Sequence, residues 1–567
     1  MMSTDSIFKV ALQINVLQKF IIFNKEEYLI MEKRNFFYTE RKQFKNIHEY
    51  LNTCLNNHAD NILFKFKKNG TSCAKRYKEV FDDILSLEAA FSEWHFEKKH
   101  IAILGKTSYE WMVSYLGVMN AGYVAIPIDK LLPVEAMIEQ LQFVDADCLL
   151  FDNDYHDVAL KIKEFVGSIK YFVNFNEKSD NIHYLYDMLE TPHKDTNSEI
   201  SPDTAAEIVF SSGTTSNSKA IVLTHENLAS NIAYCSQVID VSVTDILLSI
   251  LPNNHTYELT AGILTPIYFG ATICLNDSLK MMKRNLKTYK PTIMIVVPAV
   301  LEMLRKEILK AVANQNKNEK FSSAMKISKI LKKVHINVSR KLFGEILQVL
   351  GGNIRTFVCG GAFLPVEIID FYTTMGINLI QGYGITECSP LVSANTDRNG
   401  ERGSVGKIGG GCSVKIVDNE IWVKGKNVMK GYYKNTEVTE ACMENGWFKT
   451  GDLGYIGKKG YLYITGRKKN LLVLSNGENI CPEELEGKLL ALDCINEVIV
   501  FGEDDVIKAE IYPNYDLFEG RNIEEIEAVI SKEIKEINSL LPMFKQIQKI
   551  KLRANEFEKT TTNKIKR

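Results

Sequence analysis

Phe210-Ser211-Ser212-Gly213-Thr214-Thr215-Ser216-Asn217-Ser218-Lys219 is the stretch on which the reading of this chain turns. It is a hydroxyl-rich loop with one glycine and a closing lysine. Hydroxyls, backbone N–H groups and an ammonium can converge on one anion, which suits phosphate oxygens. Residues 206–210 before it and 220–224 after it are apolar and β-branched, as strands are. The loop is therefore strand–loop–strand. A Walker A loop needs G-x-x-x-x-G-K-[ST] followed directly by a helix, and neither condition is met. The helix comes later: Thr224 is placed as N-cap ahead of Glu226-Asn227-Leu228 and a stretch reaching Val238. Alone, a Ser/Thr/Gly loop is a turn. The rest of the chain has to decide what this one is.

The chain has 567 residues, 45% hydrophobic and 24% charged, enough for two or more domains. A net charge of -2 gives no global field for nucleic acid or membrane. The eleven cysteines are dispersed and none forms C-x-x-C, which reads as reduced thiols in a cytoplasm with no zinc site. No apolar run reaches the roughly 18 residues of a membrane span. Residues 7–23 are apolar but carry Lys9, Gln13, Asn15, Gln18 and Lys19, and lack a signal peptide's basic start and cleavage site. With Met31 an alternative start, residues 1–34 read as an amphipathic extension or an over-long gene product.

From about residue 44 to 470, strand-like runs alternate with helical patterns. Runs at 100–104, 123–127 and 292–297 read as strands, and 109–121 as a helix between the first two. Such alternation predicts an α/β domain with largely parallel sheets. Segment 301–345 holds eleven Lys or Arg against four Glu, a local charge of +7. Such a run is a solvated helix face or a surface for lipid or an acidic carrier protein. Short strands and turns fill 410–465. After Arg467 comes a compact α+β unit, with strands at 471–474, 497–501 and 507–512. A capping-box start at Asn522 and Glu525 leads an apolar stripe of Ile523, Ile526, Val529, Ile530, Ile534 and Ile537. The expected domains are 35–467 and 468–567, joined by a hinge at 468–470.

Six further motifs follow the loop in order: Leu251-Pro252-Asn253-Asn254-His255-Thr256-Tyr257-Glu258, Gly360-Gly361-Ala362, Gln381-Gly382-Tyr383-Gly384-Ile385-Thr386-Glu387, Thr450-Gly451-Asp452-Leu453, Thr465-Gly466-Arg467 and Thr562-Asn563-Lys564. Each alone is weak. Together and in this order they resemble the adenylate-forming (AMP-binding) superfamily, over about residues 44–567, and look closest to bacterial long-chain fatty acyl-CoA synthetases. The resemblance implies a large multi-subdomain N-terminal α/β domain and a small mobile C-terminal α+β domain.

It also implies roles, each with a physical reason. Tyr383 would stack on adenine. Gly360, Gly361, Ala362 and Gly384 would let backbone approach the nucleotide. Thr386 would hydrogen-bond the α-phosphate, and Glu387 would help hold Mg²⁺, a hard cation suited to oxygen ligands. Asp452 would accept from the ribose hydroxyls and Arg467 would add donors. Ser212, Gly213, Thr214, Thr215 and Lys219 would cradle the β- and γ-phosphates of ATP. Lys564 would bridge the carboxylate and α-phosphate as charge develops. His255 and Tyr257 fall near the acyl pocket, His255 as a substrate or gate residue and not an acid–base catalyst. Lys469 occupies the hinge position, and rotation about it would exchange Lys564 for the loop carrying Gly477, where the thiol approaches.

The implied chemistry is activation of a carboxylic acid to acyl-AMP with loss of pyrophosphate, then transfer to the thiol of CoA. The segment 255–260 lacks the aspartate that pairs an α-amine in amino-acid adenylation domains, so a medium- to long-chain fatty acid is expected. A ligase that loads a carrier-protein phosphopantetheine is the alternative. Ser216, Ser218 and Ala220 stand where the superfamily has glycine, proline and glycine, and Asn563 replaces a glycine. These departures motivate a third reading, an impaired nucleotide- or acyl-binding protein.

Overall fold

The computed structural model describes residues 36–38, 41–193, 199–211, 219–334, 336–409, 411–473, 479–503, 506–559 and 565–566. Two large sheets organise the N-terminal domain. One has eight strands, in the order Gly431–Tyr432, Ala220–Thr224, Ala205–Phe210, Val124–Pro127, His100–Leu104, Cys148–Phe151, Tyr171–Asn174 and His183–Tyr184. The other has nine, with Ile246–Ser249, Ile293–Val296, Thr356–Cys359 and Asn378–Gly384 as consecutive parallel neighbours at its centre. Antiparallel strands Leu391–Ala394 and Lys407–Ile408 close one end of it. The expectation of largely parallel sheets holds for both centres.

Helix Tyr109–Asn120 is buried at every position. A helix buried on every face belongs inside a layer, and this one joins the core shared by both sheets. Ser108 caps it by accepting from the Trp111 N–H. Thr224 caps helix His225–Cys235 in a full capping box with Asn227, as read from the sequence, although the helix ends three residues before Val238.

Five short strands form a separate antiparallel sheet over 412–467. The C-terminal unit packs helices Pro482–Leu489 and Ile523–Ser539 on the sheet Ile495–Glu503, Val506–Pro513 and Lys549–Leu552, with its own core. Asn522 and Glu525 make the expected box. The two units meet where Arg305 pairs with Asp493 at 3.0 Å, Lys306 donates to Asn496 at 2.8 Å, and the Phe363 ring lies on Gly487. Among the described residues no helix is long and apolar enough to cross a membrane.

Candidate functional site

Parallel strands carry their loops at their carboxyl ends, where open α/β sheets collect ligands. Here that edge holds Pro252 to Tyr257 after Ile246–Ser249, Gly360 to Ala362 after Thr356–Cys359, and Thr386–Cys388 after Asn378–Gly384. Topology alone therefore gathers three segments, the first more than a hundred residues of sequence before the other two.

At the first position, Tyr257 opens a π-helical stretch, Tyr257–Leu264. Its hydroxyl donates to the Val358 carbonyl at 2.9 Å, and its ring lies where a side chain on Gly360 would meet it, 3.3 Å from that Cβ. Gly360 is thus fixed by the close approach of Tyr257, and Gly361 by a φ of +83°. His255 sits two residues earlier, half-buried, its carbonyl accepting from the Leu259 N–H at 3.0 Å. Glu258 is 1% exposed. Ser249 donates to one of its carboxyl oxygens, and the other has no partner among the described residues. Burial pushes its pKa up to about 8, so the group is neutral at pH 7.

Tyr383 lies near the end of its strand with its ring buried. Its hydroxyl donates to Asp452 Oδ2 at 2.8 Å. Asp452 is 3% exposed and also accepts from Arg467 Nε at 2.8 Å. Backbone register explains the pairing, since Asp452 and Arg467 face each other across adjacent antiparallel strands. Burial first, and the Asp452 charge second, hold the Tyr383 phenol well above its usual pKa. Glu420, which the motifs do not include, braces this wall. Its carboxylate accepts from the Gly451 N–H at 3.0 Å and from Lys468 Nζ at 2.8 Å. Lys469 is exposed in the adjoining turn Lys468–Asn470.

Gly384 has no room for a side chain, because a Cβ would fall 2.2 Å from the Pro390 carbonyl. The chain turns there into Thr386–Cys388, leaving Thr386 and Glu387 half-buried at the edge. The Met429 N–H donates to the Glu387 carbonyl at 2.8 Å, tying this turn to the segment before Gly431–Tyr432. Tyr432 donates to Glu387 Oε1 at 3.0 Å.

The quoted loop closes an antiparallel hairpin. The Ser211 N–H donates to the Lys219 carbonyl at 2.9 Å, and the Lys219 N–H to Ser211 Oγ at 3.0 Å. The Lys219 ammonium lies 4.6 Å from the centre of the Tyr432 ring. Ser212, Gly213, Thr214, Thr215, Gly477 and Lys564 lie outside the described residues. Lys559 and Ile565, which flank the last of these, form an antiparallel bridge.

The arrangement therefore holds three clusters: Tyr383 with Asp452 and Arg467, Glu387 with Tyr432 and Lys219, and Tyr257 with Gly360. Tyr432 and Glu420 were missed by the motifs. Gly431-Tyr432-Tyr433 gives a sequence signal no stronger than a short strand, and Glu420 is one acid among many. Glu387 is half-buried, with one oxygen held by Tyr432. The other oxygen has no bond to any described residue, and no group of three or more potential metal ligands occurs among the described residues. The donor set fits a cation shared between one carboxylate and phosphate oxygens.

A parallel sheet edge with a hydroxyl-rich hairpin, a carboxylate and a buried aromatic wall defines a nucleotide-binding enzyme of the α/β class. The chain belongs to the AMP-binding enzyme family, which matches residues 53–433, and residues 469–567 match the AMP-binding enzyme C-terminal domain. It is 28% identical to long-chain-fatty-acid–CoA ligase FadD15 of Mycobacterium bovis, over 82% of this chain and 85% of that protein. It is 26% identical to the long-chain-fatty-acid–[acyl-carrier-protein] ligase AEE15 of Arabidopsis thaliana, over 76% of this chain and 70% of that one. In structure it is similar to the anthranilate CoA ligase AuaEII bound to anthranoyl-AMP, with a TM-score of 0.75, 19% identity and coverage of 94% and 97% of the two chains.

Proposed function

We propose that this chain activates a medium- to long-chain fatty acid with ATP, releasing pyrophosphate to give acyl-AMP, and then passes the acyl group to the thiol of CoA. The observation that carries this reading is the set of contacts by which Tyr383 and Glu387, at the edge of the nine-stranded sheet, meet Asp452 of the five-stranded sheet and Tyr432 of the eight-stranded one, in a chain whose relatives include named long-chain fatty acid ligases. Residues 255–260 support a plain acyl acid, because Glu258 is buried and neutral and leaves no exposed anion for a substrate amine.

In the first half-reaction, Tyr383 presents a ring already oriented by its bond to Asp452 and offers its face to adenine. Asp452 and Arg467 take the ribose, and Gly360, Gly361, Ala362 and Gly384 admit the nucleotide close to backbone. Lys219, with Ser212, Gly213, Thr214 and Thr215, holds the β- and γ-phosphates. Thr386 binds the α-phosphate. Glu387 would hold Mg²⁺, which would neutralise phosphate charge. The carboxylate oxygen of the acid attacks the α-phosphorus as the bond to pyrophosphate breaks, and Lys564 stabilises the charge that gathers there. His255 and Tyr257 border the acyl chain. In the second half-reaction the thiol sulfur attacks the acyl carbon, AMP leaves, and the thiol proton passes to solvent. The domain 468–567 turns about Lys469, removing Lys564 and bringing Gly477 to the thiol.

The likeness to an acyl-carrier-protein ligase favours one second reading, a carrier phosphopantetheine as acceptor. The basic segment offers a further contact. Helix Asn318–Lys333 and the residue after it expose Ile327, Ile330 and Val334 among Lys326, Lys329 and Lys333, a pattern suited to an anionic lipid surface. The eleven free thiols support a cytoplasmic location. Hydroxylamine trapping across a panel of acids, followed by transfer to CoA or to holo-carrier protein, tests the function. Trapped hydroxamate is expected with fatty acids and thioester with CoA. Hydroxamate from amino acids alone would overturn the substrate class. Cosedimentation with phosphatidylglycerol and with phosphatidylcholine vesicles tests the lipid contact, which requires binding to the first.

A further inference from the structure

We infer that Tyr432 is a positioning residue that keeps Lys219 and Glu387 apart, so that each meets the nucleotide with its charge uncommitted. This rests on the reading above, in which Lys219 faces phosphate and Glu387 faces the divalent cation. Both groups touch the same side chain. Glu387 accepts from the phenol hydroxyl at 3.0 Å, while the Lys219 ammonium sits over the ring face, 4.6 Å from its centre. No ion pair joins Lys219 to Glu387, and neither forms one with any other described residue.

The ring is well held. Tyr432 is 8% exposed, stands opposite Ile221 across the strand pair, and donates its N–H to Thr439 Oγ1 at 2.9 Å. An aromatic face attracts an ammonium without neutralising it, as a carboxylate would. A phenol O–H occupies one carboxylate oxygen and leaves the other open. Without the ring, opposite charges at this half-buried edge would pair, and substrate binding would first have to separate them. Cys442, on helix Thr436–Cys442 near Lys219, offers no competing anion, because burial pushes its thiol up.

Two binding measurements test this without turnover: ATP affinity in the absence of metal, and Mn²⁺ affinity by electron paramagnetic resonance with ATP present. Tyr432→Leu removes spacer and hydroxyl, and metal-free ATP binding is expected to weaken about tenfold as Lys219 pairs with Glu387. The double variant Tyr432→Leu with Glu387→Gln is expected to recover most of that loss, since no carboxylate remains to trap the lysine. A merely structural role for the ring would give no recovery, and failure of the double variant to bind better than Tyr432→Leu overturns the inference. Tyr432→Phe keeps the ring, so metal-free ATP binding should hold while Mn²⁺ affinity falls several-fold. Unchanged Mn²⁺ affinity there also counts against it, and decides the matter if Tyr432→Leu melts below working temperature. A wild-type chain that binds no ATP would instead defeat the reading of the site itself.

Discussion

Asp452, on the five-stranded sheet, bonds to Tyr383, four residues before Glu387 at the edge of the nine-stranded sheet, and the two carboxylates are bonded in opposite ways. Asp452 is buried, with Tyr383 on one oxygen and Arg467 on the other. Glu387 is half-buried and has Tyr432 on one oxygen. The region around Asp452 is a finished wall, braced from behind by Glu420. The region around Glu387 keeps bonding capacity in reserve, and Lys219 beside it forms no ion pair among the described residues. The difference separates two tasks. A base and ribose of fixed shape suit a preorganised wall, whereas phosphates and a cation that change partners during reaction suit groups still open to bond.

The comparison can be broken in order of expected effect. Lys564→Ala removes the cation assigned to the reacting phosphate, and acyl-AMP formation in single-turnover trapping should fall roughly 10²–10³-fold with ATP binding retained. Near-normal trapping would show that the tail plays no such part. Asp452→Ala takes away the acceptor shared by Tyr383 and Arg467. Hydrogen bonds to charged groups are worth about 1.5–3 kcal/mol, so ATP affinity by calorimetry should drop by one to two orders of magnitude, with a lower melting temperature. If Glu387→Ala lowered the melting temperature as much as Asp452→Ala, the distinction between finished wall and open corner would fail.

A smaller effect concerns Glu258. Its carboxyl ionises near 4.5 ordinarily and near 8 in the fold. Between those values the folded chain holds a proton that the unfolded chain has lost, so stability attributable to this group falls as pH rises through that window. Glu258→Gln removes the loss. Melting temperatures should show the variant gaining on the wild type from about pH 5 to about pH 8, with no further gain above. A difference constant with pH would mean that the carboxyl is already ionised in the fold.

Much of the fold was legible because its signals are local. The strands at 100–104 and 220–224, the Thr224 cap and the Asn522 box each depend on residues within a few positions. The order of motifs then placed Tyr383, Glu387, Asp452 and Arg467 at one site, and the structure joins Tyr383 to Asp452 directly and to Arg467 through it. What stayed hidden is non-local. Tyr432 reaches Lys219 only because Gly431–Tyr432 pairs with Ala220–Thr224, and strand pairing over such a separation leaves no periodic mark. The same holds for Glu420, whose partners Gly451 and Lys468 come together through sheet register. The role given to Tyr257 was legible only as proximity to the acyl chain; its hydroxyl bond to the Val358 carbonyl, which seats the ring against Gly360, was not.

The central claim is that these open groups serve ATP-dependent formation of acyl-AMP. It is tested most directly by exchange of labelled pyrophosphate into ATP in the presence of a series of fatty acids. The account predicts exchange that requires the fatty acid and Mg²⁺ and is largely lost in Lys564→Ala. No exchange with any acid in the series, from a folded protein that binds ATP, would contradict it.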